Sequence, residues 1–314
     1  MSDSETAQPL AFKDVLRYGA EAAPFYLFMG LFKLIGIDAA SALGGFIGRH
    51  VFYRITPVVD RARDNLKAAF PEMQAAEMET VIREMCDNLG RTVAEYPHLD
   101  KLTYDGPDPR LQIAGKEHGD AAMANAKGAM FISGHFANWE AMPVMATELG
   151  YDGGLVYRPP NNPYVDRYIS RMRAKAGPKI QISKGAQGTR KIFTLLRRGM
   201  AILMLVDQKT EQGVAAPFFG RDAMTTPAPA ALALKLGAAL LPTSNERTKG
   251  ARFRMRIRPP IAFTPTGDHD ADVLALTAKI NAAIEECVRE RPSQWLWIHR
   301  RWTTPRDAIK YLKK

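Results

Sequence analysis

The sequence predicts an α/β fold, and three observations carry that expectation. Across the second half of the chain, short apolar runs of β character alternate with stretches of helical spacing. The runs are apolar throughout and do not alternate, so their strands belong in a sheet covered by helices on both faces. The composition, 46% hydrophobic and 24% charged over 314 residues, suits one large core or two modest ones.

Residues 1–18 read as a polar leader without a cleavable signal pattern. The 16 residues 22–37 are apolar apart from Lys33. A spanning helix wants about 20 such residues. The stretch reads as a membrane-associating anchor, seated or re-entrant and flanked by Arg17, Arg49 and Arg54, or as a buried helical hairpin. On that basis residues 1–56 are set apart from an α/β domain over 57–314.

Residues 58–99 have helical spacing, broken at Pro71, because proline disfavours helix in the residue before it. Residues 100–115, with Pro107 and Pro109, read as loop. Strands are expected at 129–133, 154–157, 180–183, 201–206 and 239–243, and helices at 141–149, 163–176, 188–198 and 228–236. In 252–258 an arginine stands at every second position, with Phe253, Met255 and Ile257 between. A strand would put four guanidinium groups on one face, either a solvated face or a phosphate-binding one. A helix over about 270–289 and a tail with Trp295, Trp297 and Trp302 follow, the tryptophans reading as core or interface anchors.

Charge narrows the partner. Lys and Arg number 43 against 33 Asp and Glu, a net +10 that favours an anionic partner. Eleven basic residues fall between Arg158 and Arg198, against Asp166 alone. An acidic carrier protein, a phosphorylated glycolipid or an anionic membrane surface fits this. Nucleic acid is not expected, because no helix-turn-helix, ribonucleoprotein or zinc-finger pattern is present. Cys86 and Cys287, the only cysteines, are far apart and outside metal-ligand spacing, so neither a disulfide framework nor a zinc site is expected. No motif calls for a cofactor: there is no GxSxG elbow, no HExxH and no GxxxxGK[ST] loop.

The chemistry concentrates in Ser133-Gly-His-Phe-Ala-Asn-Trp-Glu140. The strand expected to end at Ser133, with Gly134 turning the chain, leaves His135 at the carboxyl edge of the sheet, where ligands of open α/β folds bind. Asn138 suits the N-cap of a helix beginning at Trp139, with Glu140 in its first turn. In one regular helix five residues would turn His135 about 140° from Glu140; a turn before the helix removes that objection. Glu140 could then hold one ring nitrogen protonated and leave the other to take a proton from a hydroxyl. The alternative is a buried, hydrogen-bonded histidine beside a first-turn acid. Arg158 and Asp207, each after an expected strand, also lie at the ligand edge; Asp207 reads as a functional group or as a helix cap.

This segment resembles the histidine-x4-acid motif of glycerolipid-type acyltransferases, in the Glu form typical of lipid A late acyltransferases. The likeness runs nearly the whole length. Arg63-Asp-Asn-Leu-Lys-Ala-Ala-Phe-Pro-Glu72 resembles an early element of the family, and Val156-Tyr-Arg-Pro-Pro-Asn-Asn-Pro163 its Tyr-Arg-Pro block. Asp207-Gln208, Pro217-Phe-Phe-Gly220, Thr226 with Pro229-Ala230, and Gln294-Trp-Leu-Trp-Ile-His-Arg-Arg-Trp302 resemble later ones. The resemblance implies a mixed sheet flanked by helices, at the cytoplasmic face of a bacterial inner membrane. It implies transfer of an acyl chain from acyl-acyl carrier protein to a hydroxyl of a lipid A precursor, with no acyl-enzyme. His135 would be the general base and Glu140 its orienting carboxylate, with Arg158 on the oxyanion or a substrate phosphate and Asn138 and Asp207 beside the substrate. The alternatives are acylation of another glycolipid or aminolipid, and a silent lipid- or carrier-binding protein on the same fold.

Overall fold

The computed structural model describes residues 11–302. Four helices come first: α1 (Phe12–Leu34), α2 (Ile37–His50), α3 (Thr56–Ala69) and α4 (Ala75–Glu95). The break between α3 and α4 falls at Phe70-Pro71, where it was expected. Small residues let α2 lie directly on α4. A Cβ added to Gly48 would come within 2.0 Å of the Cys86 carbonyl oxygen, so only glycine permits that approach.

None of these helices is long and apolar enough to cross a membrane. Their apolar side chains are nonetheless turned outward. Among the described residues, twelve of the 13 exposed large hydrophobic ones lie between Phe12 and Ile55, including Leu27, Leu31, Leu34 and Phe46. The buried-hairpin reading fails for this face, though Met29, Phe32 and Ala40 do pack inward against Ala94.

The remaining elements alternate as the apolar runs predict. They are β1 (Leu111–Ala114), α5 (Lys116–Met123), β2 (Ala129–Ser133), α6 (Ala141–Glu148), β3 (Gly153–Tyr157), α7 (Pro163–Ala176), β4 (Ile180–Ser183), α8 (Ala186–Leu196) and β5 (Ala201–Leu205). After them come β6 (Val214–Phe218), β7 (Arg221–Thr225), α9 (Ala228–Leu236), β8 (Ala239–Lys249), β9 (Arg252–Ile257) and α10 (His269–Glu290). Seven strands form one mixed sheet in the order β1-β9-β8-β2-β5-β3-β4, parallel except for the β8–β9 pair. β6 and β7 make a separate hairpin.

The central strands of the sheet are buried on both faces. Met130 and Ile132 of β2 enter one core and Ala129 and Phe131 the other, as the period of two requires. The stretch expected to be loop over 100–115 contains β1, whose four residues are too few to show a pattern. The arginine face of β9 is a paired, solvated one. Arg252 meets Asp108, Arg254 meets Glu246, and Arg256 and Arg258 both meet Glu290, so the phosphate-binding alternative for these four falls.

Candidate active site

The order of the strands creates the site. From β4 the chain returns to insert β5 between β2 and β3, then crosses to β8 on the far side of β2. Such a switch opens a crevice at the carboxyl ends of the strands. Four residues stand one or two positions beyond the ends of adjacent parallel strands: His135 after β2, Asp207 after β5, Arg158 after β3 and Lys184 after β4.

His135 and Asp207 are joined twice. The His135 backbone N–H donates to Asp207 Oδ2 at 2.7 Å, and Nδ1 lies 2.8 Å from Oδ1. The Trp295 indole N–H donates to Oδ2 at 2.8 Å. Burial alone would raise the Asp207 carboxyl, but the charge and hydrogen bonds of His135 outweigh it and hold the group far below the usual carboxylate range. An ionised carboxylate only accepts hydrogen bonds. Nδ1 therefore carries the proton, and the Nε2 lone pair faces the cavity. Gly134 makes room for this contact, since a Cβ there would sit 3.0 Å from Asp207 Oδ2.

Glu140 is elsewhere. Its carboxylate accepts from Arg173 at 2.8 and 2.6 Å and from the Tyr96 hydroxyl, and makes no hydrogen bond to His135. Burial favours its neutral form, but Arg173 outweighs that and keeps it ionised. The expected His135–Glu140 pairing is thus replaced by His135–Asp207. The physical reason is the irregular turn between them: Ala137 adopts φ +44°, and α6 begins at Ala141, not at Trp139. Glu140 still lines the cavity, together with Arg173.

Asn138 is also corrected. It is wholly buried, away from the cavity lining, with Oδ1 accepting from the Glu140 N–H at 3.1 Å and Nδ2 donating to Glu95 at 2.8 Å. It fixes the turn and touches no substrate space. Asn88, Thr92 and Asn245 donate to the carbonyls of Ala137 and Asn138, completing that clamp.

A cavity of about 420 Å³ opens over His135, with Arg158 on its wall and Trp139, Met142 and Leu155 supplying apolar surface. Gln208 and His299 stand in the family-like blocks of the sequence but were given no role there. The Gln208 amide nitrogen lies 3.2 Å from His135 Nε2 and 3.0 Å from His299 Nε2, so its two hydrogens can serve both lone pairs. Burial, with the neighbouring His135 charge, pushes His299 down to about 4, so it is neutral near pH 7. The tail that carries His299 is tied to the catalytic turn by Leu296 N–H to the His135 carbonyl and Ala137 N–H to that of Gln294. The tail tryptophans are buried, as expected, and Trp295 in addition holds Asp207.

Chemically, the arrangement is a carboxylate-oriented imidazole beside an apolar-walled cavity, with a guanidinium and an amide as donors. It can take a proton from a hydroxyl and stabilise charge on an attacked carbonyl. The sequence pattern of the bacterial lipid A biosynthesis acyltransferases matches residues 13–304. The chain belongs to this family. Its similarity to the lipid A biosynthesis palmitoleoyltransferase of Escherichia coli K12 is 29% identity over 279 residues, 82% of this chain and 84% of that one. The lauroyltransferase of the same organism is 26% identical over 255 residues, 78% and 79% of the two chains. A phosphatidylinositol mannoside acyltransferase of Mycobacterium tuberculosis H37Rv is 23% identical over 248 residues, 77% of each. The fold described above is thus the fold of a member of this family, with His135 at its ligand edge.

Proposed function

We propose that the protein moves a fatty acyl chain from acyl-acyl carrier protein to a hydroxyl of a lipid A precursor by direct attack. The observation that carries the mechanism is the His135–Asp207 pair, with Nε2 turned to a cavity and met there, among the described residues, only by the Gln208 amide. Nε2 takes the proton of the acceptor hydroxyl as its oxygen attacks the thioester carbonyl. Asp207 fixes the tautomer and stabilises the imidazolium that forms. Arg158 is the donor available to the oxyanion, joined by the Gln208 amide once Nε2 is protonated and no longer accepts from it. When the tetrahedral intermediate collapses the carrier thiolate leaves, and His135 returns the proton to it. Glu140 and Arg173 brace the cavity wall and have no proton to move.

The exposed apolar face of α1 and α2 supports a seat in the membrane surface without a span. Lys13, Arg17, Lys33, Arg49 and Arg54 on the same helices and their junction suit anionic headgroups, and a lipid acceptor would be met there. Such a seat belongs at the cytoplasmic face of the inner membrane, where acyl-carrier donors are found. The basic residues between Arg158 and Arg198 suit an acidic carrier protein. Two of them are already engaged, Arg173 by Glu140 and Lys175 by Asp100; among the nine others, the exposed Arg167, Arg171, Lys179, Arg190 and Lys191 are docking candidates.

The experiment is acyl transfer by the purified protein from acyl-carrier donor to a lipid A precursor, with the product mass read by mass spectrometry. A gain of one acyl group that disappears in His135→Ala supports the reading. Transfer only to a mannosylated phosphoinositide would reassign the acceptor, and no transfer to any glycolipid would leave the silent binding protein.

A further inference from the structure

Four side chains stand in series at the catalytic cavity, Asp207, His135, Gln208 and His299, and each fixes the hydrogen-bonding sense of the next. Asp207 is ionised and accepts from His135, so Nδ1 holds the proton and Nε2 is an acceptor. Only the nitrogen end of the Gln208 amide can serve an acceptor, and it stands 3.2 Å from Nε2. The same nitrogen lies 3.0 Å from His299 Nε2. That contact requires His299 to accept as well, which places the proton of its neutral ring on Nδ1. One amide thus bridges two imidazoles whose centroids are 5.0 Å apart.

The far end of the series is anchored. His299 is carried by the tail after α10, and α3 holds that tail. Asn65, buried, donates through Nδ2 to the Trp297 and His299 carbonyls, each at 2.6 Å, and Arg61 donates to that of Ile298 at 3.2 Å. The Leu296 N–H joins the same tail to the His135 carbonyl. His299 therefore has a fixed place relative to His135. Gln208 reaches between them from the segment after β5, on a long side chain whose terminal amide turns easily.

The bridge has a consequence for the reaction. At rest one amide hydrogen caps Nε2, and an acceptor hydroxyl that donates to Nε2 displaces it. As the proton moves across, Nε2 becomes a donor and needs an acceptor. An amide with no second tie would turn over and offer Oε1 to the imidazolium, carrying its two hydrogens away from the attacked carbonyl. His299 opposes that turn, because its Nε2 lone pair would then face the amide oxygen. Relief would require its own proton to move from Nδ1 to Nε2. Held by its second hydrogen, the amide keeps its nitrogen toward the cavity, and the displaced hydrogen is free to meet the oxyanion.

We propose that His299 is a positioning residue for acyl transfer that acts through Gln208. It holds one amide hydrogen throughout while the other passes from Nε2 to the oxyanion, and it neither gains nor loses a proton in the step. The inference rests on the acyl-transfer reading above.

The test uses the whole chain in detergent, with acyl-carrier donor and whichever glycolipid serves as acceptor. His299→Phe keeps a ring and removes the acceptor, whereas His299→Gln puts an amide oxygen within similar reach. The contact is one neutral hydrogen bond, so kcat should fall about tenfold in His299→Phe. KM for both substrates should stay within about twofold, since the loss is confined to the transition state. His299→Gln should recover most of it. Gln208→Leu removes the donor itself and should cost about 10²-fold. In that background His299→Phe should cost nothing more, because the residue it acts through is gone. An undiminished kcat in folded His299→Phe overturns the proposal, and so does a loss that lies in KM alone. The same loss with and without Gln208 also overturns it. The ring-nitrogen ¹⁵N shifts of histidine-labelled wild type need neither turnover nor substitution. A proton on Nδ1 of both His135 and His299 near pH 7 supports the series. A proton on His299 Nε2 overturns it whether or not any glycolipid is acylated, which separates failure of the inference from failure of the function.

Discussion

Asp207→Asn separates the two carboxylates that the histidine could have used. The aspartate accepts at Oδ2 from the His135 backbone N–H and from Trp295, and at Oδ1 from Nδ1. An asparagine has one acceptor and one donor end. With its oxygen at the Oδ2 position it keeps two of the three contacts, so that orientation is favoured. Its NH₂ then faces Nδ1, which must give up its proton and become the acceptor. The proton moves to Nε2, and the lone pair facing the cavity is lost. The fold is preserved while the base is disabled. General base catalysis contributes about 10²–10⁴-fold, so kcat should fall by that factor, roughly 3–5 kcal/mol in the barrier. Glu140→Gln should do the reverse. It leaves Nε2 untouched, so turnover should stay within roughly tenfold. It breaks a buried ion pair with Arg173, however, at a cost of roughly 3–5 kcal/mol in stability. The assay is single-turnover acyl transfer from carrier donor, with thermal unfolding of each variant alongside. A folded Asp207→Asn protein with near-normal turnover, beside a Glu140→Gln protein that is stable and inactive, would refute the assignment and restore Glu140 to the imidazole.

Further expectations concern the rest of the chain. His299 is held down to about 4, below its ordinary value near 6.5, so the unfolded chain binds its proton first as pH falls. Stability should therefore drop between about pH 6.5 and 4, and denaturant unfolding of His299→Gln should show a shallower slope over that window. Gly48→Ala should cost about 1–3 kcal/mol by driving α2 off α4, read as a lower unfolding midpoint. Leu27→Glu with Phe46→Glu should weaken partitioning into anionic vesicles by at least about tenfold, since each buried side chain is worth roughly 1.5–3 kcal/mol. Unchanged co-sedimentation would remove α1 and α2 from the membrane contact.

The sheet was legible because its central strands are continuous apolar runs. β2 is buried at every position, and a segment of that kind has few other places to go. Helices α7 and α9 begin and end at the residues their spacing predicts, with Asn162 capping α7 through hydrogen bonds to the Tyr164 and Val165 N–H groups. β1 and the β6–β7 hairpin were not legible. β1 has four residues, and β6 carries Pro217, which argues against a strand in any local reading. Each is stabilised by a partner distant in sequence, β1 by β9 and β6 by α10 through Asn281. The outward face of α1 was ambiguous for another reason: apolar content reports that a helix seeks an apolar surface, without saying whether protein or lipid supplies it.

The site shows where spacing stops being informative. His135 and Glu140 are five positions apart, and sequence reasoning pairs them because nothing else in that segment carries charge. Asp207 is 72 positions from His135. The two meet because β2 and β5 are hydrogen-bonded neighbours in register, Ser133 opposite Leu205, so residues two beyond each strand end fall side by side. That register is a property of the whole sheet: β5 can enter between β2 and β3 only because the chain has gone out to β4 and back. A strand-end acid and a strand-end histidine are each visible in the sequence as ligand-edge residues, but which of them meet is decided by strand order. By the same logic Arg158 and Lys184 belong to the site because they end the next two strands along the edge. Glu140, the nearest acid to His135 in sequence, is left to anchor α7 through Arg173.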